Sequence, residues 1–151
     1  MSQTMAKWGY EWNAFEVTTK DDYILTTFQI LPKQGGATGK GSVLMQHGLS
    51  FDGAHWLTKR YATEKPYHLE LVDAGFDVWL GNNRGTKYSQ GHSTLNATTD
   101  AKFWDFTWHD MGLYDLRASI DDIKARTSED KLYYVGYSQG SAQMHYALAK
   151  D

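Results

Sequence analysis

The 151-residue chain contains no cysteine. Disulfides, cysteine metal sites and thiol nucleophiles are excluded together, and the redox compartment stays open. No apolar run approaches the ~20 residues of a membrane-spanning helix, and residues 1–12 (MSQTMAKWGYEW) lack the apolar core of a secretory signal. Nor is there a basic stripe. Lys and Arg are scattered singly in a chain of formal charge −3 and pI about 6.0, which argues against nucleic acid or anionic lipid as partners. The six histidines form no cluster with metal-ligand spacing, so neither metal nor cofactor is expected.

What the chain does have is material for a core. It is 41% apolar and 15% aromatic, more than a disordered chain carries, and its length suits one domain. Residues 14–31 (AFEVTTKDDYILTTFQIL) are two β-rich runs around Lys20-Asp21-Asp22, the pattern of an antiparallel hairpin. Residues 32–41 hold four glycines and a proline and read as a loop. Val43 to Gln46 then reads as a short buried strand, followed by a helix within residues 60–74 that stops at Gly75. A further strand is expected at Asp77 to Leu80. The polar stretch 82–102 reads as a long surface connection. Within it Asn96-Ala97-Thr98 fits the N-glycosylation pattern, which has meaning only in a secreted protein. Asp110 to Arg126 has helical apolar spacing, Leu132 to Val135 a strand pattern, and Gln139 to Lys150 good helix formers. Strand and helix in alternation argue for a parallel α/β sheet.

The chemistry centres on Gly136-Tyr137-Ser138-Gln139-Gly140, which follows a strand pattern and opens a helical one. A serine on a sharp strand-to-helix turn needs small neighbours on both sides, and its hydroxyl is then presented beside a free backbone N–H. The G-x-S-x-G spacing alone is a weak signal that many glycine-rich turns satisfy; the flanking strand and helix strengthen it. His47-Gly48-Leu49 directly follows the strand at 43–46. The N–H groups of Leu49 and Gln139 would then converge on a developing oxyanion.

Several segments resemble, in order and spacing, the acid lipase family of α/β-hydrolases, which includes gastric and lysosomal acid lipases. They are VLMQHG (43–48), DAGFDVWLGNNRG (73–85), FWDF (103–106), YDL (114–116) and LYYVGYSQG (132–140), together with Gly9-Tyr10 and VTTKDDYIL (17–25). The family usually carries glycine where this chain has Asp22. The resemblance covers nearly the whole chain. It implies the amino-terminal half of an α/β-hydrolase fold, mostly parallel and opened by an antiparallel hairpin. By the same resemblance Ser138 is the nucleophile, Leu49 and Gln139 are the oxyanion donors, and the substrate is a neutral lipid ester. Members are typically secreted or lysosomal.

One departure is large. The fold orders its triad as serine, acid, histidine along the chain, yet after Ser138 the only acid is Asp151 and the only histidine is His145. His145 would lie roughly two turns along the helix after the serine, out of reach. Family members are commonly more than twice this long, with acid, base and cap in the second part. The expectation is therefore a partial lipase domain over residues 1–151, whose sheet and triad are completed by a second polypeptide or a continuation. An isolated nucleophile strand would leave a bare sheet edge. The alternative is a non-catalytic, lipase-derived structural subunit that docks through that edge.

The remaining candidates have plainer readings. His47 and Gly48 are expected to shape the oxyanion loop rather than to transfer protons. His55, His68 and His92 are expected to be solvated, and His109 to be structural. Trp79, Trp104, Phe106 and Trp108 are read as core or domain packing rather than a lipid-binding surface, and Arg84 as a loop tie rather than a substrate contact.

Overall fold

The computed structural model describes residues 2–57 and 64–150. The two β-rich runs close into the expected hairpin. β1 (Trp12–Thr18) pairs antiparallel with β2 (Tyr23–Ile30), with Val17 opposite Leu25 and Ala14 opposite Phe28. Its turn places Asp22 at φ +71°, the left-handed region that explains the glycine usual there in the resembling family. Aspartate is among the few other residues that tolerate it.

The strand order is β1, β2, β4 (Asp77–Leu80), β3 (Ser42–Gln46) and β6 (Tyr133–Gly136), with the two-residue β5 (Gly91–His92) pairing β2. β3 runs parallel to both its neighbours, β4 and β6. The sheet is thus mixed, three parallel strands joined to the antiparallel hairpin. Every residue of β3 is buried, as expected of an apolar strand covered on both faces. Its alternation divides the core. Val43 and Met45 pack with Met5 of α1 (Ser2–Trp8) and Leu69 and Val72 of α2 (Tyr67–Asp73), while Leu44 packs with Trp79, Leu116 and Ile123 on the other face. That second face is covered by α4 (Arg117–Thr127) and α5 (Gln139–Lys150).

α2 ends in a Schellman motif: Gly75 at φ +100° donates to the Val72 carbonyl and Phe76 to the Leu71 carbonyl. The early part of the helix expected within 60–74 lies outside the described residues. The helix expected over 110–126 begins earlier and is not uniform. A capping box between Thr107 and Asp110 starts α3 (Trp108–Asp110), a π-helical stretch Met111–Leu116 follows, and α4 continues the path.

The segment 82–102 departs most from its reading. Asn82, Asn83, Arg84 and Ser89 are buried, and their polar groups, the Asn83 amide nitrogen excepted, find partners inside the protein. Asn82 Nδ2 donates to the Thr26 carbonyl at 2.7 Å, and Ser89 Oγ to the Asn82 carbonyl at 3.0 Å. His68 is also buried, not solvated. It follows Tyr67 at the start of α2 and precedes Leu69, and Val72 one turn on shares its inward face.

Among the described residues β6 pairs only with β3, so its other edge is open, and Tyr133 on it is 59% exposed. Unpaired edge groups beside an exposed aromatic favour association. The isolated 151-residue polypeptide is expected to self-associate at micromolar concentration. Light scattering on a size-exclusion column checks this, and a single monomeric species with cooperative unfolding would contradict it.

Candidate active site

Ser138 stands on the turn between β6 and α5, exposed and with φ +52°. For a serine this left-handed conformation costs about 1–3 kcal/mol and persists only where its surroundings hold it. They do so here through a dense set of bonds. Gly140 N–H donates to the Tyr137 carbonyl and Ser141 N–H to the Ser138 carbonyl, both at 2.9 Å, while Ser141 Oγ reaches the Gly136 carbonyl at 2.7 Å. The glycines of the motif are dictated by backbone. A Cβ on Gly140 would lie 2.5 Å from the Gln46 carbonyl oxygen, and one on Gly136 would lie 2.7 Å from Ser141 N.

The loop after β3 meets this turn. Tyr137 N–H donates to the Gln46 carbonyl at 3.0 Å, and a Cβ on Gly48 would lie 3.1 Å from Ser138 Cβ. Leu49 and Gln139 both line a cavity of about 420 Å³ floored by His47, Gly48, Asn83 and Arg84, with Trp104, Phe106 and Met111 among its walls. The structure thus brings together every residue singled out for this chemistry: His47, Gly48 and Leu49 on one loop, Ser138 and Gln139 on the other.

His47 is buried, and both ring nitrogens are engaged. Nε2 accepts the Asn83 N–H at 3.1 Å, and Nδ1 lies 2.8 Å from the Gly48 carbonyl oxygen. An N–H can only donate, so Nε2 is bare and the neutral ring carries its proton on Nδ1. Burial pushes the imidazole below the ordinary histidine value, against the opposing pull of the Gly48 carbonyl and Asp52.

Arg84 ties its loop in place, as read from the sequence. Its backbone N–H and Nε donate to the two oxygens of Asp115, at 2.8 and 2.7 Å, and its terminal nitrogens to Asp21 at 2.6 and 2.8 Å. Burial pushes the Asp115 carboxyl up to about 7, with Arg84 pulling it back. For Asp21 burial acts in the same direction, but hydrogen bonds from Arg84 and Thr19 outweigh it and hold that carboxyl below its usual value. Asp21, Asn83 and Asp115 were not singled out from the sequence. The signal was present in NNRG, where polar residues directly follow a buried strand.

The other histidines are packed against aromatic rings or lie on the surface. His55 is stacked between Phe51 and Tyr137, with centroids at 3.9 and 5.4 Å, rather than solvated. His92 is half-buried against Tyr23, and its Nδ1 accepts the N–H groups of Thr94 and Leu95. His109 packs against Trp108 and Tyr146 with tilted rings. His145 is exposed on α5, and Asp151 lies outside the described residues. Trp79 is core, but Trp104 is 47% exposed at the cavity wall and Trp108 36% exposed. Their indole rings meet solvent because the segments that carry them cross the surface rather than the core. Among the described residues no group of His, Asp and Glu is placed to hold a metal ion, and no helix is long and apolar enough to cross a membrane.

Two measurements on the full-length protein follow from these charges. Arg84→Ala strands a buried carboxylate and is expected to cost about 3–5 kcal/mol at neutral pH by urea unfolding. A carboxyl whose folded pKa is raised favours the fold when protonated, so this loss should shrink at pH 5 and grow at pH 8. His47 has the opposite profile. Its folded pKa is depressed, so its contribution is full above about 6.5 and is lost as pH falls below that value. The decline in unfolding free energy between about pH 6.5 and 5 should be shallower in His47→Asn, which has no group to titrate there.

Residues 1–60 match the family model described as a partial alpha/beta-hydrolase lipase region, and residues 41–151 match that of the alpha/beta hydrolase fold. Lipase 1 of Drosophila melanogaster is 44% identical over 140 residues, covering 93% of this chain and 30% of that protein. Lysosomal acid lipase/cholesteryl ester hydrolase of Homo sapiens is 39% identical over 144 residues, covering 93% and 35%. The chain spans about a third of the length of these curated relatives. An esterase of Pyrococcus furiosus shares the fold with a TM-score of 0.58 at 20% identity, over 96% of this chain and 48% of that one. The resemblance to acid lipases carried by VLMQHG and LYYVGYSQG is borne out at this level of identity. The chain belongs to the α/β-hydrolase fold family and carries that family's lipase region over its first 60 residues.

Proposed function

We propose that this chain carries the nucleophile and oxyanion hole of a serine carboxylic ester hydrolase acting on neutral lipid esters. The observation that supports this best is Ser138 at φ +52° on a strand-to-helix turn, with Gly48 of the neighbouring loop packed against it. A strained, exposed serine held by backbone on all sides has little structural use. It is the arrangement a nucleophile requires.

In this reading Ser138 Oγ attacks the ester carbonyl carbon and forms a tetrahedral intermediate. Its proton passes to a histidine, which returns it to the departing alcohol. The carbonyl oxygen becomes an oxyanion that accepts hydrogen bonds from the N–H groups of Leu49 and Gln139. Water, activated by the same histidine, then attacks the acyl-enzyme and releases the fatty acid. His47 and Gly48 shape the loop that presents Leu49. The triad histidine and its acid come from outside these 151 residues, on a second polypeptide or a further segment that also pairs with β6. Trp104, Phe106 and Met111 give the cavity an apolar side suited to an acyl chain. The neutral lipid assignment leans on the relatives, whose names include a cholesteryl ester hydrolase.

A fluorophosphonate probe tests the reading in the full-length protein. Ser138 is expected to be the labelled residue, and Ser138→Ala to lose labelling and lower kcat on a triglyceride or sterol ester by about 10⁴ or more. Retained function in Ser138→Ala, together with purification in an assembly of unrelated chains, would instead establish the structural subunit, which the open edge of β6 also suits.

A further inference from the structure

We propose that Asn96 is an N-glycosylation site: its side-chain amide nitrogen takes an oligosaccharide from a polyprenyl-pyrophosphate donor as the chain passes through a secretory lumen. The inference goes beyond the ester-hydrolase reading and needs nothing from Ser138. Asn96-Ala97-Thr98 is the acceptor triplet, an asparagine two residues before a threonine with no proline between them. Of the four asparagines in the chain, only this one stands in such a triplet. It also stands where a bulky, solvated group fits. Asn82 and Asn83 are buried, whereas Asn96 and Thr98 are both exposed. The transfer makes one bond and breaks one. Asn96 Nδ2 bonds to the anomeric carbon of the first sugar, the bond from that carbon to the phosphate oxygen breaks, and the pyrophosphate departs with its lipid. The nitrogen gives up one proton to a base of the transferase, and nothing is oxidised or reduced.

The fold holds this triplet outward. Leu95 and Ala97, on either side of Asn96, pack against the cluster of Val17, Tyr23, Leu25 and Phe103 and so anchor the loop. The Ala97 carbonyl accepts the Trp104 indole N–H at 2.8 Å. Asn96 N–H donates to Asp100 Oδ2 at 2.7 Å, and the Asn96 carbonyl accepts the Asp100 N–H at 2.9 Å. The backbone of the acceptor is thus fully bonded, and its side chain is engaged through one atom alone. Thr98 N–H lies 2.8 Å from Asn96 Oδ1. A backbone N–H can only donate, so the atom facing it is the oxygen and the amide nitrogen is the one left free. Among the described residues neither Asn96 Nδ2 nor the Thr98 hydroxyl has a hydrogen-bond partner. The position in the sheet is compatible with assembly as well. The loop follows β5, which pairs with β2, and β4 and β3 lie between β2 and β6. A glycan on Asn96 therefore leaves the open edge of β6 clear for a completing strand.

The test reads the site directly in the full-length protein purified from its natural source. Release with peptide N-glycosidase in heavy-oxygen water is expected to turn Asn96 into a heavy-labelled aspartate, detected by mass spectrometry of the peptide that carries it. The heavy oxygen separates this release from earlier spontaneous deamidation. A peptide recovered only with unmodified Asn96 would overturn the proposal. Two variants of the full-length protein, made in cells of the same organism, check the triplet itself. Thr98→Ala removes the hydroxyl that defines the acceptor, yet it keeps the backbone N–H that bonds Asn96 Oδ1, so the loop geometry is preserved. It is expected to lose the label and to migrate as a species smaller by one glycan, whereas Thr98→Ser, which keeps a hydroxyl, should retain both. A glycan retained on Asn96 in Thr98→Ala, or absent altogether in Thr98→Ser, would overturn the proposal. Should Thr98→Ala fail to fold, the peptide from the parent protein decides alone.

Discussion

The site depends on a backbone contact where two parallel strands end together. β3 and β6 are in register with Gln46 opposite Gly136, so the chain leaves both strands at the same height. Tyr137 N–H then closes on the Gln46 carbonyl, and the first turn of α5 comes down on the Gln46 and His47 carbonyls at Gly140. A side chain at position 140 has nowhere to go, since its Cβ would sit 2.5 and 2.9 Å from those oxygens. This approach decides where α5 starts and which way Ser138 points. It also brings the HGL loop beside the serine. Shift the register of β6 by one residue and every side chain on that strand changes face; the serine and the loop would separate as well.

Holding chain this tightly beside a cavity requires polar groups to be buried, and most of them find partners in distant segments, β2, the hairpin turn and the π-helical stretch. Asn82 draws on the Thr26 carbonyl, Thr26 N–H on Ser89 Oγ, and Arg84 on Asp21 of the hairpin turn and Asp115 of the π-helical stretch. An unpaired buried amide or charge costs several times what a formed hydrogen bond contributes. The loop after β4 is therefore rigid by necessity, and that rigidity reaches His47 through the Asn83 N–H. The left-handed turn at Asp22 belongs to the same design, because it delivers Asp21 to the guanidinium.

Much of this was legible in the sequence wherever the signal is local. Alternating and β-branched residues marked the hairpin and the buried β3, and the motif of glycines around Ser138 marked the elbow and the start of α5 at Gln139. What escaped depends on partners far along the chain. Asn82 and Thr26 are 56 residues apart, and Arg84 and Asp21 are 63 apart, so a run rich in Asn, Ser and Thr reads as solvated when it is in fact internally bonded. His68 escaped because a lone polar ring in a short helix carries no mark of which face it occupies. The π-helical stretch is equally silent: Met111, Leu113 and Leu116 favour a helix while Gly112 and Asp115 do not, and nothing in MGLYDL marks the change of hydrogen-bond pattern.

The histidines of this chain also explain why the proposed chemistry needs a base from elsewhere. A general base must offer a free ring nitrogen to the serine hydroxyl. His47 shares the cavity, yet one nitrogen is occupied by Asn83 and the other points its proton at Gly48. It is excluded by its bonds rather than by its distance. His55 lies within an aromatic stack on Tyr137, His92 is committed to two backbone N–H groups, and His109 is packed against Trp108 and Tyr146. His145 rides the exposed face of α5, roughly two turns beyond the serine. Each histidine near the site is therefore in use as structure. On the proposed reading, the base that serves Ser138 is therefore none of these imidazoles.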